Sequence, residues 1–209
     1  MTPLSEKNRA KNGTLELLLG PMRSNKTEEL LRRVAMRREY ANQTVLLFKP
    51  HDDTKSGRGL VESRNPKGHG KMEALEFNSR NPQEILRAIA TEEERTGKYV
   101  SCIAIDEAQF IEGLFSFARQ ILETGRDMLV AGLDLDFRGL PFGETLALTW
   151  FVNMYGGAIS WCVSYCTCGS QAFYSQRLTN GKPAPLNSPI KMPGDSYEPR
   201  CPKHFILPK

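Results

Sequence analysis

Residues 14–27 read Thr-Leu-Glu-Leu-Leu-Leu-Gly-Pro-Met-Arg-Ser-Asn-Lys-Thr. The apolar run before Gly20 predicts a buried β-strand, and Gly20 and Pro21 end it. From Lys26 to about Ala41 the apolar residues recur at helical spacing, so a helix follows the turn. A strand, a glycine turn and a helix in this order form the context in which phosphate-binding loops occur.

The run Gly20–Thr27 has the spacing of a Walker A loop, although Asn25 stands at the usual second glycine. Such a loop points consecutive backbone N–H groups at phosphates, and it needs Lys26 to reach the β- and γ-phosphates and the Thr27 hydroxyl to bind Mg²⁺. Asparagine is among the least costly non-glycine residues at positive φ, so the loop tolerates it. The same residues also fit a plain turn in which Ser24 caps the helix. The candidate phosphate-binding residues are Gly20, Pro21, Met22, Arg23, Ser24, Asn25, Lys26 and Thr27.

Strand and helix patterns alternate further along the chain. The predicted strands are Thr44–Phe48, Met72–Phe77, Tyr99–Ile105 and Asp127–Leu133, and the predicted helices are Asn81–Thr96 and Ile111–Thr124. This alternation predicts an α/β fold with a parallel sheet flanked by helices. After Phe151 the segments become short, rich in turns and rich in cysteine. We therefore expect a disordered tail over residues 1–12, a nucleotide-binding domain over 13–158 and a small C-terminal domain over 159–209.

A pair of carboxylates follows the apolar run that ends at Ile105. Asp106 and Glu107 would lie at the carboxyl edge of the sheet, where ligands bind in open α/β folds. Asp106 suits a Walker B role at Mg²⁺, and Glu107 suits the removal of a proton from an attacking hydroxyl. Either residue equally fits a helix cap, but the phosphate loop upstream favours catalysis.

Composition limits the classes of function. The 209 residues carry a net charge of +4, which fits an anionic ligand such as a nucleotide but is too weak to indicate DNA wrapping. The segment from Met1 to Gly13 is polar, without the apolar core of a signal peptide, and no apolar run approaches the roughly 20 residues of a membrane helix. We expect a cytoplasmic protein without membrane contact.

Cysteines crowd the last third of the chain. Cys166 and Cys168 precede Cys201 and His204, and Cys201 follows Cys168 by 33 residues. Two ligand pairs on separate turns predict a closed Cys₃His zinc site, which would be structural. Cys162, paired with Cys166 or with Cys168, is a rival assignment, and a set of free buried thiols is the other alternative.

Several motifs in a fixed order resemble one family. They are Gly20-Pro-Met-x-Ser-x-Lys-Thr-Glu-Glu-Leu, Ile105-Asp-Glu-Ala-Gln-Phe110, Gly132-Leu-Asp-x-x-Phe137 with Pro141-Phe-Gly143, and Tyr197-Glu-Pro-Arg-Cys-Pro-Lys-His204. Over about Gly13 to Phe205 the chain is similar to the cytosolic type II thymidine kinases.

The resemblance implies a P-loop fold related to recombinase-type ATPase cores, with a small C-terminal zinc-binding domain. It implies that Glu107 is the general base and that Asp106 serves the metal. An apolar wall around the thymine would consist of Met22, Phe110, Leu133 and Phe137. Tyr197 would help to close over the nucleoside, Ser175 would lie near the thymine, and Arg177 matches a family arginine. Without the resemblance, Phe110, Leu133 and Phe137 fit equally well as residues of the hydrophobic core.

The chain departs from the family pattern in three places. Asp53 matches an acid of the loop after the second strand, but Lys55 stands where arginine is usual, with Arg58 or Arg64 as substitutes. Lysine keeps the charge and loses the bidentate fork. One residue instead of two separates Cys166 from Cys168, and Met192-Pro193-Gly194 replaces adjacent glycines. We assign Asp53 to Mg²⁺, and Lys55 and Arg177 to charge stabilisation of the phosphates.

The resemblance implies transfer of the γ-phosphate of ATP to the 5′-hydroxyl of thymidine, giving dTMP for DNA precursor synthesis. It also implies a homo-oligomer, often a tetramer, that dTTP inhibits. Two alternatives remain open: a P-loop ATPase whose zinc lobe binds nucleic acid, and a nucleotide sensor without turnover. The first draws on Lys182, Lys191, Arg200 and Tyr165 near the cysteine cluster.

Overall fold

The computed structural model describes residues 12–51, 58–63, 70–190 and 195–209. Its helices are α1 (Lys26–Glu39), α2 (Gln83–Thr96), α3 (Leu114–Glu123) and α4 (Thr149–Tyr155). Its strands are β1 (Leu15–Leu19), β2 (Val45–Pro50), β3 (Leu60–Glu62), β4 (Lys71–Glu73), β5 (Leu75–Phe77), β6 (Cys102–Ile105), β7 (Asp127–Gly132), β8 (Gly157–Trp161), β9 (Ser164–Tyr165), β10 (Gln171–Ala172), β11 (Tyr174–Thr179), β12 (Lys182–Pro183) and β13 (Ser196–Arg200).

Six parallel strands form the central sheet in the order β5-β2-β6-β7-β1-β8. Strand β1 lies between β7 and β8, and β7 separates it from β6. Because parallel strands all end at one edge, the segments after β1, β6 and β7 meet there. The sheet and its flanking helices confirm the predicted α/β class.

The two faces of the sheet are covered by different helices. Alternate residues of β1 point to opposite sides, as the period of two in a strand requires. Leu15, Leu17 and Leu19 belong to the apolar cluster that includes α2, α3 and α4, whereas Leu18 belongs to the cluster with α1. Buried on both faces, β1 reads in the sequence as a nearly continuous apolar run.

The predicted strand Met72–Phe77 is two strands in the structure. Strand β4 pairs with β3 in an antiparallel hairpin, whereas β5 pairs with β2 at the edge of the central sheet. The change occurs at Ala74, whose N–H donates to the carbonyl of Gly59 at 2.9 Å. The predicted helix from Ile111 begins instead at Leu114, after a 3₁₀ turn over Ala108–Phe110.

The sixth strand was not predicted. Strand β8 pairs with β1 along its whole length, so it spans the proposed boundary between residues 158 and 159. Gly157 is required at the start of β8, because a Cβ there would lie 2.0 Å from the carbonyl oxygen of Leu15. Glycine permits this close approach of two backbones.

The C-terminal part of the chain consists of short antiparallel strands. Strand β9 pairs with β10, and β11 lies between β12 and β13. Among the described residues, every helix is too short or too polar to cross a bilayer.

Candidate active site

The loop between β1 and α1 is held close to the end of β8. The N–H of Cys162 donates to the carbonyl of Leu19 at 2.7 Å. A Cβ on Gly20 would lie 2.2 Å from the carbonyl oxygen of Cys162, and Gly20 has a φ of 149°. Both observations require glycine at this position. The first glycine of the Walker-like run therefore brings the loop against the neighbouring strand.

Asn25 adopts the left-handed conformation that a glycine would adopt without cost. Its φ is 60° and its ψ is 23°, and it directly precedes α1. Asparagine populates this region more readily than most other residues. Arg23 also has a φ of 60°, and the Ser24 hydroxyl donates to the carbonyl of Pro21 at 2.9 Å. Asparagine thus satisfies the backbone requirement of the missing glycine.

The ammonium of Lys26 lies inside the loop. Nζ donates to the carbonyl of Pro21 at 2.7 Å and to Ser24 Oγ at 3.2 Å. Burial lowers the pKa of Lys26, whereas the nearby charges of Glu107, Asp106 and Asp134 raise it. Bound phosphates would act in the same direction as these carboxylates, because they add negative charge beside the ammonium.

Thr27 and Asp106 join the loop to the end of β6. The Thr27 hydroxyl donates to Asp106 Oδ2 at 3.0 Å across 79 positions of sequence. The other carboxylate oxygen, Asp106 Oδ1, accepts from the N–H of Glu107 at 3.0 Å. A hydroxyl and a carboxylate at this separation are the oxygen donors that Mg²⁺ prefers. The residues present therefore fit the predicted magnesium site.

Glu107 is held by a buried amide that sequence reasoning missed. Glu107 has a φ of 51° and a ψ of 40°, and the Nε2 group of Gln109 donates to its Oε2. The Oε1 atom of Gln109 accepts from the N–H of Leu133 at 3.0 Å. Gln109 is part of the quoted Ile105–Phe110 motif, and a glutamine inside an otherwise apolar turn was the signal that could have revealed it.

Asp134 is a third carboxylate that sequence reasoning did not single out. It follows β7, which lies between the strands that carry the phosphate loop and Asp106. Within the described part of the chain, its Oδ1 is buried without a hydrogen-bond partner. Burial raises the pKa of Asp134, and the N–H groups of Asp134 and Leu135 and the charge of Lys26 oppose that shift.

The residues predicted to surround the base come from both parts of the chain. Ser175 Oγ accepts from the N–H of Met22 at 2.9 Å, which links β11 directly to the phosphate loop. Phe110 packs edge-on against Phe142 with ring centroids 5.3 Å apart. Leu133 and Phe137 are buried, whereas Met22, Phe110 and Tyr197 are half-buried. Contact of these side chains with a nucleoside stays a prediction.

Arg177 is fully buried and binds the segment before β13. Its Nε donates to Asp195 and its Nη1 donates to the carbonyl of Pro189. Its guanidinium also lies 4.8 Å above the ring centroid of Phe137. Tyr197 pairs with Arg177 across β11 and β13. These contacts place Arg177 beside two predicted base-site residues, and its predicted role at the phosphates stays a prediction.

A comparison with protein families identifies the chain. The family model described as thymidine kinase matches residues 13–205, which is most of the 209 residues. The chain belongs to the thymidine kinase family. It is therefore an ATP-dependent nucleoside kinase, a transferase that phosphorylates thymidine. Family membership favours neither the nucleic-acid-binding ATPase nor the sensor.

Some of the predicted site residues lie outside the part of the chain that the structure describes. They include the predicted magnesium ligand Asp53, the predicted phosphate-binding Lys55, the substitute Arg64 and the stretch Met192-Pro193-Gly194. Arg58 is described and exposed, at the start of the hairpin that contains β3. The assignments of Asp53 and Lys55 remain predictions.

The Cys/His cluster of this thymidine kinase has the spacing of a tetrahedral metal site. Cys166, Cys168, Cys201 and His204 place their ligand atoms within 4.8 Å of one another. The Sγ atoms of Cys168 and Cys201 are 3.8 Å apart, and His204 Nδ1 lies 3.5 Å from Cys166 Sγ and 3.4 Å from Cys201 Sγ. In tetrahedral zinc sites Zn–S is about 2.3 Å and Zn–N about 2.0–2.1 Å. This geometry requires about 3.8 Å between two sulfur ligands and about 3.6 Å between a sulfur and a nitrogen ligand.

The local backbone also favours the ligand form of one cysteine. The N–H groups of Cys168 and Cys201 lower the pKa of the Cys166 thiol to about 5. The thiolate is the form that binds metals. Cys162 lies outside this cluster and beside the phosphate loop instead, where burial raises its pKa. The structure thus brings together the favoured ligand set and separates the rival.

Proposed function

We propose that this kinase transfers the γ-phosphate of ATP to the 5′-hydroxyl of thymidine at the edge of the sheet formed by the ends of β1, β6 and β7. The observation that carries the proposal is the 3.0 Å hydrogen bond between Thr27 and Asp106. It joins the phosphate loop to the strand end that also carries Glu107. A phosphate-binding loop, oxygen donors for Mg²⁺ and a candidate base are the parts that phosphoryl transfer needs.

In this proposal the loop from Gly20 to Thr27 binds the triphosphate. Backbone N–H groups of the loop and the positive end of α1 would face the phosphates. The Lys26 ammonium would leave the Pro21 carbonyl for the β- and γ-phosphate oxygens. Thr27, Asp106 and Asp53 would hold Mg²⁺, which when bound supplies positive charge against the β- and γ-phosphates.

Glu107 would act on the acceptor. Its carboxylate takes the proton of the thymidine 5′-hydroxyl as the oxygen forms a bond to the γ-phosphorus. The bond from the γ-phosphorus to the β–γ bridging oxygen breaks, and ADP leaves with that electron pair. Lys55 and Arg177 are proposed to stabilise the charge on the transferring group, since cationic side chains lower the energy of that state.

The nucleoside niche would be shared between the two parts of the chain. Phe110, Leu133 and Phe137 follow strands of the central sheet, whereas Ser175 and Tyr197 belong to β11 and β13. We propose that Met22 joins them, because its N–H already binds the Ser175 hydroxyl. A mostly apolar niche with a few polar groups is typical of a site for a small, flat ligand.

The remaining proposals concern metal, location and assembly. Zinc would staple the C-terminal segment through its Cys₃His donors, and a thiolate cluster suits the reducing cytoplasm. The family resemblance leads us to propose a homo-oligomer, most simply a tetramer, with dTTP as feedback inhibitor.

A substrate panel tests the proposed function. We expect thymidine to be phosphorylated with a kcat/KM at least about tenfold above those of deoxycytidine, deoxyadenosine and deoxyguanosine, because polar groups of a site that bind one base are left unpaired by another. Deoxyuridine is the fifth substrate. It differs from thymidine only by the methyl group of the base, so its kcat/KM measures how much the site depends on that group. A coupled ADP-release assay with product analysis measures all five. ATP hydrolysis that no nucleoside stimulates would contradict the proposal.

Replacing single cysteines tests which of them bind zinc. We expect Cys201→Ser to reduce zinc from about one ion per chain to nearly none and to lower the Tm, because metal-binding free energy is folding free energy in such a site. Metal analysis and thermal unfolding measure both effects. The matched control is Cys162→Ser, which lies outside the cluster and should retain its zinc. Equal zinc loss in both variants would reinstate the rival assignment.

A further inference from the structure

Gln109 is buried at the point where the candidate base meets the nucleoside niche. Only 3% of the residue is exposed. Its Nε2 donates to Glu107 Oε2, and its Oε1 accepts from the Leu133 N–H at 3.0 Å. One amide therefore joins the carboxylate that follows β6 to the backbone that follows β7. Both donor and acceptor are used, as a buried amide requires.

The surrounding structure makes room for this bridge and supports it. A Cβ on Gly132 would lie 3.0 Å from Gln109 Oε1, and a Cβ on Gly143 would lie 2.4 Å from the Gln109 carbonyl oxygen. Fully buried Thr145 donates to the carbonyl of Leu133 at 2.8 Å. The backbone of Leu133 is thus bound at its N–H by Gln109 and at its carbonyl by Thr145. Two glycines and a threonine fix where the amide can lie.

We infer that Gln109 is a positioning residue that aims the Glu107 carboxylate at the acceptor hydroxyl and ties that aim to the Leu133 wall of the nucleoside niche. The inference rests on the proposed role of Glu107 as base. Glu107 has a left-handed backbone, which a non-glycine residue keeps only where the surrounding structure holds it. An amide bonded at both ends holds its side chain without adding charge.

Gln109→Met tests the inference, because methionine keeps the length of the side chain and removes both hydrogen bonds. We expect kcat to fall about 10- to 100-fold, the size of effect that misplaced catalytic groups produce. The Kd values of ATP and thymidine should change less than about threefold, since neither the phosphate loop nor the wall loses a side chain. Steady-state kinetics and calorimetric titration give the two sets of values.

A double-variant cycle separates positioning from a general weakening of the structure. In the Glu107→Gln background, Gln109→Met should cost less than about threefold further in kcat, because the group it positions is already gone. Thr145→Val is the matched control: it removes the hydroxyl that bonds the carbonyls of Leu133 and Phe142 without touching Glu107. Any loss of kcat that it causes should persist in full in the Glu107→Gln background.

Gln109→Asn keeps the test decisive if the methionine variant does not fold. It keeps an uncharged amide at the turn, but the side chain is one methylene shorter and cannot bond Glu107 and the Leu133 N–H together. We expect the same loss of kcat. Full kcat in a folded Gln109 variant, or an equal loss with and without the Glu107 carboxylate, would overturn the inference alone. An active Glu107→Gln variant would overturn the base role, and the inference with it.

Discussion

Glu107→Gln is expected to lower kcat for thymidine by about 10²- to 10⁴-fold, the usual contribution of a positioned general base. Glutamine has the same shape but cannot take the proton of the 5′-hydroxyl. Its Oε1 still accepts from the Gln109 amide, so the local structure should persist. The KM for ATP should change little, because the phosphate loop is unaltered. Steady-state kinetics of purified protein, with ATP titration, measure both parameters.

Glu112→Gln is the matched control for this variant. Glu112 lies five positions further along the chain, and its exposed side chain makes only a long ion pair with Arg80 at 3.5 Å among the described contacts. Surface pairs of this kind contribute little. We expect unaltered kinetics for Glu112→Gln. A Glu107→Gln enzyme with more than about a tenth of the normal kcat would show that the proton goes elsewhere.

The sequence was informative wherever a site is built from consecutive residues. Strand β1, the loop and α1 follow one another from Leu15 to Glu39, so local patterns were enough to predict them. Asp106 follows a buried strand in the same way. The edge of a parallel sheet then brings both segments together, and this rule needs no knowledge of side-chain contacts.

The sequence was uninformative where contacts join distant residues. The hydrogen bond from Met22 to Ser175 spans 153 positions, and the bond from Leu133 to Gln109 spans 24. Neither bond is visible as a local pattern, because a single polar side chain in a turn or a strand creates no periodicity in the sequence. Strand β8 was missed for a related reason: it is an edge strand without a buried apolar run, so only its pairing with β1 defines it. The adjacent glycines at 156 and 157 read as a turn.

Lys26→Met is expected to lower kcat/KM about 10²- to 10³-fold, the usual effect of removing one donor to developing charge. The reason is geometric as well as electrostatic. Nζ is already inside the loop, bound to the Pro21 carbonyl and the Ser24 hydroxyl. Methionine has a similar length and no charge, so it leaves the phosphates without their cation. Coupled kinetics over a range of ATP concentrations measure the loss.

The thermal stability of Lys26→Met should stay the same or rise while its activity falls. This difference distinguishes lost catalysis from lost folding. Burial lowers the pKa of Lys26 below its ordinary 10.5, so folding disfavours the charged form. The cost to stability appears as the pH falls below about 10.5 and is present at neutral pH. Lys26→Met removes that cost, which offsets the loss of its two hydrogen bonds, so its Tm at pH 7 should equal or exceed that of the unaltered protein. Lys98→Met, at an exposed lysine, is the control and should retain full activity. An inactive Lys26→Met protein with a strongly lowered Tm would instead assign this lysine a structural role.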